Sequence, residues 1–203
     1  MGVNDGQIDW ANTAIISNAS CTTNCAAPLF KVLHDNFQVQ SGYLTTIHAY
    51  TATQSLLDES NKKPDRSRAA ALNISPSTTG AAKSVARVIP ELQGKIDGMA
   101  IRVPVPTVSF TDISALVSKT VTAEEVNAAF QKAAADKMQQ ILNYEKVALV
   151  SSDFIGSPFS CIFDANCTKV INGNLVKVFG WYDNEWGYSE RIVDLVEKLS
   201  DYI

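Results

Sequence analysis

The sequence predicts an α+β fold in which a mainly antiparallel or mixed sheet is covered by helices. Three observations carry that prediction. Strand-like runs follow one another along much of the chain. A few segments of helical periodicity are interspersed among them. One Asn-Gly pair, Asn172-Gly173, sits between two apolar runs, as in a β-hairpin. With 203 residues, 46% hydrophobic and 19% charged, the chain has the make-up of an ordinary globular protein with a sizeable core. A net charge of −4 opposes non-specific binding to nucleic acid, which needs a concentrated basic face. No apolar run reaches the length of a bilayer span, and no charged-then-apolar leader precedes the first element, so the expected compartment is the cytoplasm.

Taken in order, the start (MGVNDGQIDWAN) is rich in turn residues, and Thr13-Ala14-Ile15-Ile16 reads as a short buried strand. A helix follows from Ser20 to about Asn36, with Leu29, Val32, Leu33 and Phe37 at helical spacing. Pro28 lies inside it and should kink it or mark a short first turn. GYLTTIHAY (42–50) reads as a strand, and the polar stretch 51–68, ending KKPDRSR, as a long and therefore functional loop. STTG (77–80) opens the helix AAKSVARVI, which Pro90 ends. GKIDGMAIRVPVP and TVSFTDISALVSK read as consecutive strands. Thr122 and Glu125 form a capping box that starts a helix over 123–135. KVALVSSDF (146–154) and FSCIFDANC (159–167) are two further strand candidates. The tail GYSERIVDLVEKLSDYI is an amphipathic helix with Ile192, Leu195, Val196 and Leu199 on one face.

The chemistry concentrates in SNASCTTNC. With Ser20 as N-cap, Cys21 falls in the first helical turn, beside unpaired backbone N–H groups and the positive helix end, which favour thiolate over thiol. The same groups, with the hydroxyls of Ser20, Thr22 and Thr23, suit an oxyanion or a phosphate. A polar cap followed by a small buried cysteine fits the same residues. Cys25, one turn on, reads as structural, and the spacing of Cys21, Cys25, Cys161 and Cys167 matches no zinc motif, so no metal is expected. A nucleophilic thiol needs a base, and only two histidines exist. His34 lies near a helix end, whereas His48 lies at the end of a strand, where side chains leave the sheet. Thr51 and Thr53 follow it, Arg66 and Arg68 end the long loop, Thr79-Gly80 opens a helix, and Arg102 stands in an otherwise apolar strand. Each has a plain structural explanation. Together they suggest a pocket for a small phosphorylated substrate beside a reactive thiol.

SNASCTTNC, TTIHAYTATQ, DRSRAAALNISPSTTGAAK, MAIRVP and WYDNEWGYS occur in this order, and over essentially its whole length the chain resembles the catalytic domain of the phosphorylating glyceraldehyde-3-phosphate dehydrogenases. HAYTATQ favours these over the related erythrose-4-phosphate enzymes. The resemblance implies Cys21 as nucleophile and His48 as its partner base. It implies Thr51 and Arg102 at the substrate's phosphate, and Ser20, Thr22, Thr79 and Gly80 at the attacking phosphate. Arg66 would serve the phosphate sites, with Asn184 and Tyr188 at the nicotinamide of NAD or NADP. It also implies a homo-oligomer. Family members begin with a dinucleotide-binding domain, but no G-x-G-x-x-G occurs here. The implied division is a catalytic domain over 1–183 and a helix over 184–203 that packs on that nucleotide-binding domain. Weak or no NAD binding by this chain alone, and an uncovered apolar face on the last helix, are expected. Two other readings stand beside the dehydrogenase: a non-catalytic interaction module, and Cys-His acyl transfer without redox chemistry.

Overall fold

The structure, a computed structural model, describes residues 1–202. Its frame is one eight-stranded sheet: β1 (Val39–Ala49), β2 (Ser75–Thr78), β3 (Ile96–Val103), β4 (Ser109–Val117), β5 (Leu142–Glu145), β6 (Cys161–Asp164), β7 (Lys169–Ile171) and β8 (Leu175–Tyr182). The strand order is β2-β3-β1-β4-β8-β6-β5, with β7 paired to β8. The β1/β3 and β5/β6 pairs are parallel and the remaining pairs antiparallel, so the sheet is mixed, as the sequence predicts. Four α-helices accompany it: α1 (Cys21–Phe37), α2 (Ala81–Val88), α3 (Ala123–Ala135) and α4 (Trp186–Ser200).

Strict alternation in β4 and β8 explains how one face becomes the core. Thr111, Ile113, Ala115, Val176, Val178 and Tyr182 are buried, while their sequence neighbours Phe110, Asp112, Phe179 and Trp181 point to the other, half-open face. On the core face α1 lays Cys25, Leu29, Phe30 and Leu33 across the sheet, and α2 and α3 flank it with Val85, Val126 and Phe130. Burying a side chain such as Leu29 contributes about 2 kcal/mol. The close approach of α1 depends on Gly180, where a Cβ would meet Cys161 Sγ at 2.7 Å and Cys25 Sγ at 3.0 Å. Helix α1 runs through Pro28 without interruption. The capping box of α3 forms as read, and the hairpin turns at Asn172 and Gly173, both left-handed.

Two expectations are corrected, and one strand was not foreseen. Residues 13–16 form no strand, and Ile15 is 88% exposed: the apolar run finds no pairing partner among the described residues, and only Ile16 is half-buried. Residues 146–154 are also not a strand. The pairing falls earlier, on β5, and Ser151–Phe154 is a short 3-10 helix whose Val150 entry point is exposed. Strand β2, which contains Pro76, escaped the sequence reading; it survives as an edge strand, where a missing N–H costs no ladder bond. Helix α4 begins near its expected start. Only Gly187 and Arg191 of it are buried, and Ile192, Val193 and Val196 are exposed.

Candidate active site

Three local features converge on one cleft. Ala19 takes a left-handed φ of 56° and turns the chain into α1. Ser20 caps that helix, its Oγ accepting from the Thr23 N–H at 3.1 Å, so Cys21 is the first helical residue. Across from it, the parallel register of β1 and β3 sets His48 directly beside Arg102. The third wall is the start of α2, where Thr79 Oγ1 accepts from the Ala81 N–H at 3.2 Å. The cleft, about 430 Å³, is lined by Ser20, Cys21, Thr22, His48, Thr79, Gly80 and Arg102 among others.

Cys21 Sγ lies 3.5 Å from His48 Nε2. His48 Nδ1 lies 2.7 Å from the carbonyl oxygen of Ala49, an acceptor only; the tautomer with its proton on Nδ1 satisfies that carbonyl and leaves Nε2 to accept from the thiol. Arg102 Nη1 lies 2.9 Å from the same Nδ1; it donates to the Ala49 carbonyl at 3.0 Å and to Thr51 Oγ1 at 3.5 Å. Burial first, and the Arg102 charge second, press the His48 pKa down to about 4. Burial pushes the Cys21 thiol up, against the opposing pull of hydrogen bonds from Thr22 and the charge of Arg102. The first helical turn therefore does not make Cys21 a free-standing thiolate: desolvation outweighs the helix end, a balance that position in sequence cannot supply.

Arg66 comes from the long loop and is not among the residues lining the cleft; its Nη2 donates to Ser77 Oγ at 3.4 Å and its Nε lies 4.0 Å from Asp65 Oδ2. It is close enough to Arg102 to lower that residue's pKa, second to burial. The Nε groups of both arginines are buried without a hydrogen-bond partner. The two charges and their unpartnered buried donors favour an anion nearby. Asn184 is buried behind this layer, its Oδ1 accepting from Ser109 Oγ at 2.9 Å. Tyr188 sits in the first turn of α4, where its carbonyl accepts from Asn18 Nδ2 at 3.2 Å; no contact brings its ring to the cleft.

Three residues at the site went unread in the sequence. Tyr182 stands behind Cys21, its hydroxyl 3.0 Å from Thr22 Oγ1 and 2.7 Å from Thr46 Oγ1, and burial drives its phenol pKa well up. Thr46 and Ser109 complete the set. Their signal was a hydroxyl on the inward phase of a strand, visible only once register is known. Among the described residues no group of three or more His, Cys, Asp or Glu could hold a metal, and no helix is long and apolar enough to cross a membrane.

Comparison with known proteins agrees with the resemblance. The family described as glyceraldehyde 3-phosphate dehydrogenase, C-terminal domain, matches residues 20–184. Glyceraldehyde-3-phosphate dehydrogenase 2 of Streptomyces avermitilis is 56% identical over 195 residues, 96% of this chain and 58% of that protein. The glyceraldehyde-3-phosphate dehydrogenase of Streptomyces coelicolor is 57% identical, with 96% and 58% covered, and that of Mycobacterium leprae 55%, with 96% and 57%. The chain thus spans somewhat over half the length of the relatives it matches.

Proposed function

The chain belongs to the glyceraldehyde 3-phosphate dehydrogenase family, matching its C-terminal domain, and from that premise we propose that it is the catalytic part of a phosphorylating aldehyde dehydrogenase acting on glyceraldehyde 3-phosphate. The observation that carries the reading is the Cys21–His48 pair at 3.5 Å, in one cleft with Arg102 and the start of α2.

In this reading Cys21 Sγ attacks the aldehyde carbon as its proton passes to His48 Nε2, and the carbonyl oxygen becomes the hydroxyl of a thiohemiacetal. His48, returned to its neutral form, then takes the hydroxyl proton as the carbon gives up hydride. NAD or NADP, when bound, accepts that hydride. The product on Cys21 is an acyl thioester. Inorganic phosphate attacks it, the Cys21 thiolate leaves, and an acyl phosphate is released. Arg102 and Thr51 hold the substrate's own phosphate. Ser20, Thr22, Thr79 and Gly80 hold the attacking phosphate, with Arg66 serving the pair. The nicotinamide side fits Asn184, a buried amide whose Nδ2 has no protein partner among the described residues. The remaining cofactor contacts fall to a nucleotide-binding domain acting with this one, and Tyr188 joins the cofactor side through that domain.

Two measurements test the reading. Glyceraldehyde 3-phosphate labelled with ¹³C at the aldehyde should give a thiohemiacetal carbon signal with the parent chain and none with Cys21→Ser. Mixed with the nucleotide-binding domain of a relative, NAD and phosphate, the chain should form NADH in a Cys21-dependent way. Absence of both signals refutes it. Cleavage of activated esters without any need for NAD would instead favour acyl transfer.

A further inference from the structure

One buried hydroxyl joins two residues that the proposed reaction uses separately. Ser109 opens β4 and is 1% exposed. Its Oγ accepts from the Ala49 N–H at 3.0 Å and donates to Asn184 Oδ1 at 2.9 Å. Ala49 is the residue whose carbonyl holds His48 Nδ1. The β1–β4 pairing ends with Ile47 opposite Phe110, and beyond it the Ser109 side chain takes the buried Ala49 N–H.

The proton count then fixes the other end. The Ser109 hydroxyl has one proton to give and no acceptor for it among the described residues but Asn184, so Oδ1 faces Ser109 and Nδ2 is turned away with its donors free. Immediately before Ser109, the buried Val108 holds a φ of 66°, a conformation that β-branched residues avoid and that persists only where the surroundings impose it.

We propose that Ser109 is a positioning residue. Through one hydroxyl it fixes both the Ala49 segment that orients His48 and the amide face that Asn184 turns toward the cofactor side, so that base and cofactor contact are set as one unit. The proposal rests on the reading of Cys21, His48 and Asn184 given above.

The test compares Ser109→Ala with Ser109→Thr, which keeps the hydroxyl, and with Thr111→Val. Thr111 is equally buried two residues along β4, and its Oγ1 has no partner. Two quantities are read. One is the His48-dependent alkylation rate of Cys21 at pH 7, located by peptide mapping. The other is the NMR position of the Asn184 Nδ2 protons, assigned by their loss in Asn184→Asp. Ser109→Ala should slow alkylation by about tenfold, the scale typical of a lost supporting partner, and move the Asn184 signals toward those of a free amide. Ser109→Thr should restore both, and Thr111→Val should alter neither. Should Ser109→Ala fail to fold, Ser109→Cys carries the same comparison with a weak donor of similar size. Unchanged alkylation and unmoved Asn184 signals in the Ser109 variants overturn the proposal. So does an equal change in Thr111→Val, which would mark a general packing effect. If alkylation in the parent does not depend on His48, the reading of the Cys21–His48 pair fails, and the Asn184 signals alone decide the role of Ser109.

Discussion

The protonation state of the Cys21–His48 pair can be worked from the structure. Moving the proton from Sγ to Nε2 takes it from a thiol raised above its ordinary 9.0 to an imidazole held near 4. That gap, at least about five pK units, costs about 7 kcal/mol at 1.36 kcal/mol per unit. The ion pair so formed has its charges 3.5 Å apart. At an effective dielectric of about 20 it recovers about 5 kcal/mol. The neutral pair therefore wins by at least about 2 kcal/mol, and the ion pair is a minority of a few per cent at most. Both forms carry the same number of protons, so their ratio does not change with pH between the two titrations. Alkylation of Cys21 by iodoacetamide should then show a flat plateau from about pH 5 to 7, at a few per cent or less of its high-pH limit, and climb above about pH 7.5, where direct ionisation of the thiol overtakes the ion pair. In His48→Asn the plateau should vanish, because thiolate then comes only from direct ionisation of the raised thiol. At pH 6 that means a fall of roughly thirtyfold or more. A parent rate that climbs about tenfold per pH unit through this range, or a plateau that survives in His48→Asn, refutes the argument.

Other consequences follow from the same contacts. Arg102→Gln removes the second cause of the depressed His48 pKa, so the ring should titrate above 4 by NMR. Protection of Cys21 by glycerol 3-phosphate, an unreactive analogue of the substrate, should weaken about ten- to a hundredfold, the loss expected of a charged hydrogen bond. The His48 pKa near 4, against 6.5 for an unperturbed ring, means that the folded state favours the neutral form. Its contribution to stability is complete above pH 6.5 and is lost as pH falls toward 4, up to about 3 kcal/mol. Urea unfolding should show that loss in the parent and a flatter curve in His48→Gln. Gly180→Ala places a Cβ within 3.0 Å of two cysteine sulfurs and of Leu29, and should cost about 1–3 kcal/mol by urea unfolding while slowing Cys21 alkylation through displacement of α1. A variant as stable and as reactive as the parent would show that α1 has room to shift.

What could be read from the sequence, and what could not, divides along a physical line. The Ser20 cap, the Thr122–Glu125 box and the Asn172-Gly173 turn are decided by neighbouring residues, and each stands where local rules place it. Thr13–Ile16 and 146–154 failed because an apolar run reports only that burial is wanted, while a strand needs a partner edge that no local signal names. The site divides in the same way. Cys21, Thr79 and Gly80 announce themselves through helix starts, and His48 through its place at a strand end. That His48 and Arg102 are neighbours follows only from the parallel β1–β3 register, across more than fifty residues of chain. Tyr182, Thr46 and Ser109 were hidden for the converse reason. On a strand whose inward phase is mostly apolar, a buried hydroxyl looks like a tolerated exception. It becomes meaningful once its partners arrive from other strands, and a buried hydroxyl left without them would be a cost. Thr111, buried on the same strand with its Oγ1 unpartnered, is that cost left uncompensated. The contrast between Thr111 and Ser109, two residues apart on one strand, marks the supported geometry at Ser109 as a property of the site.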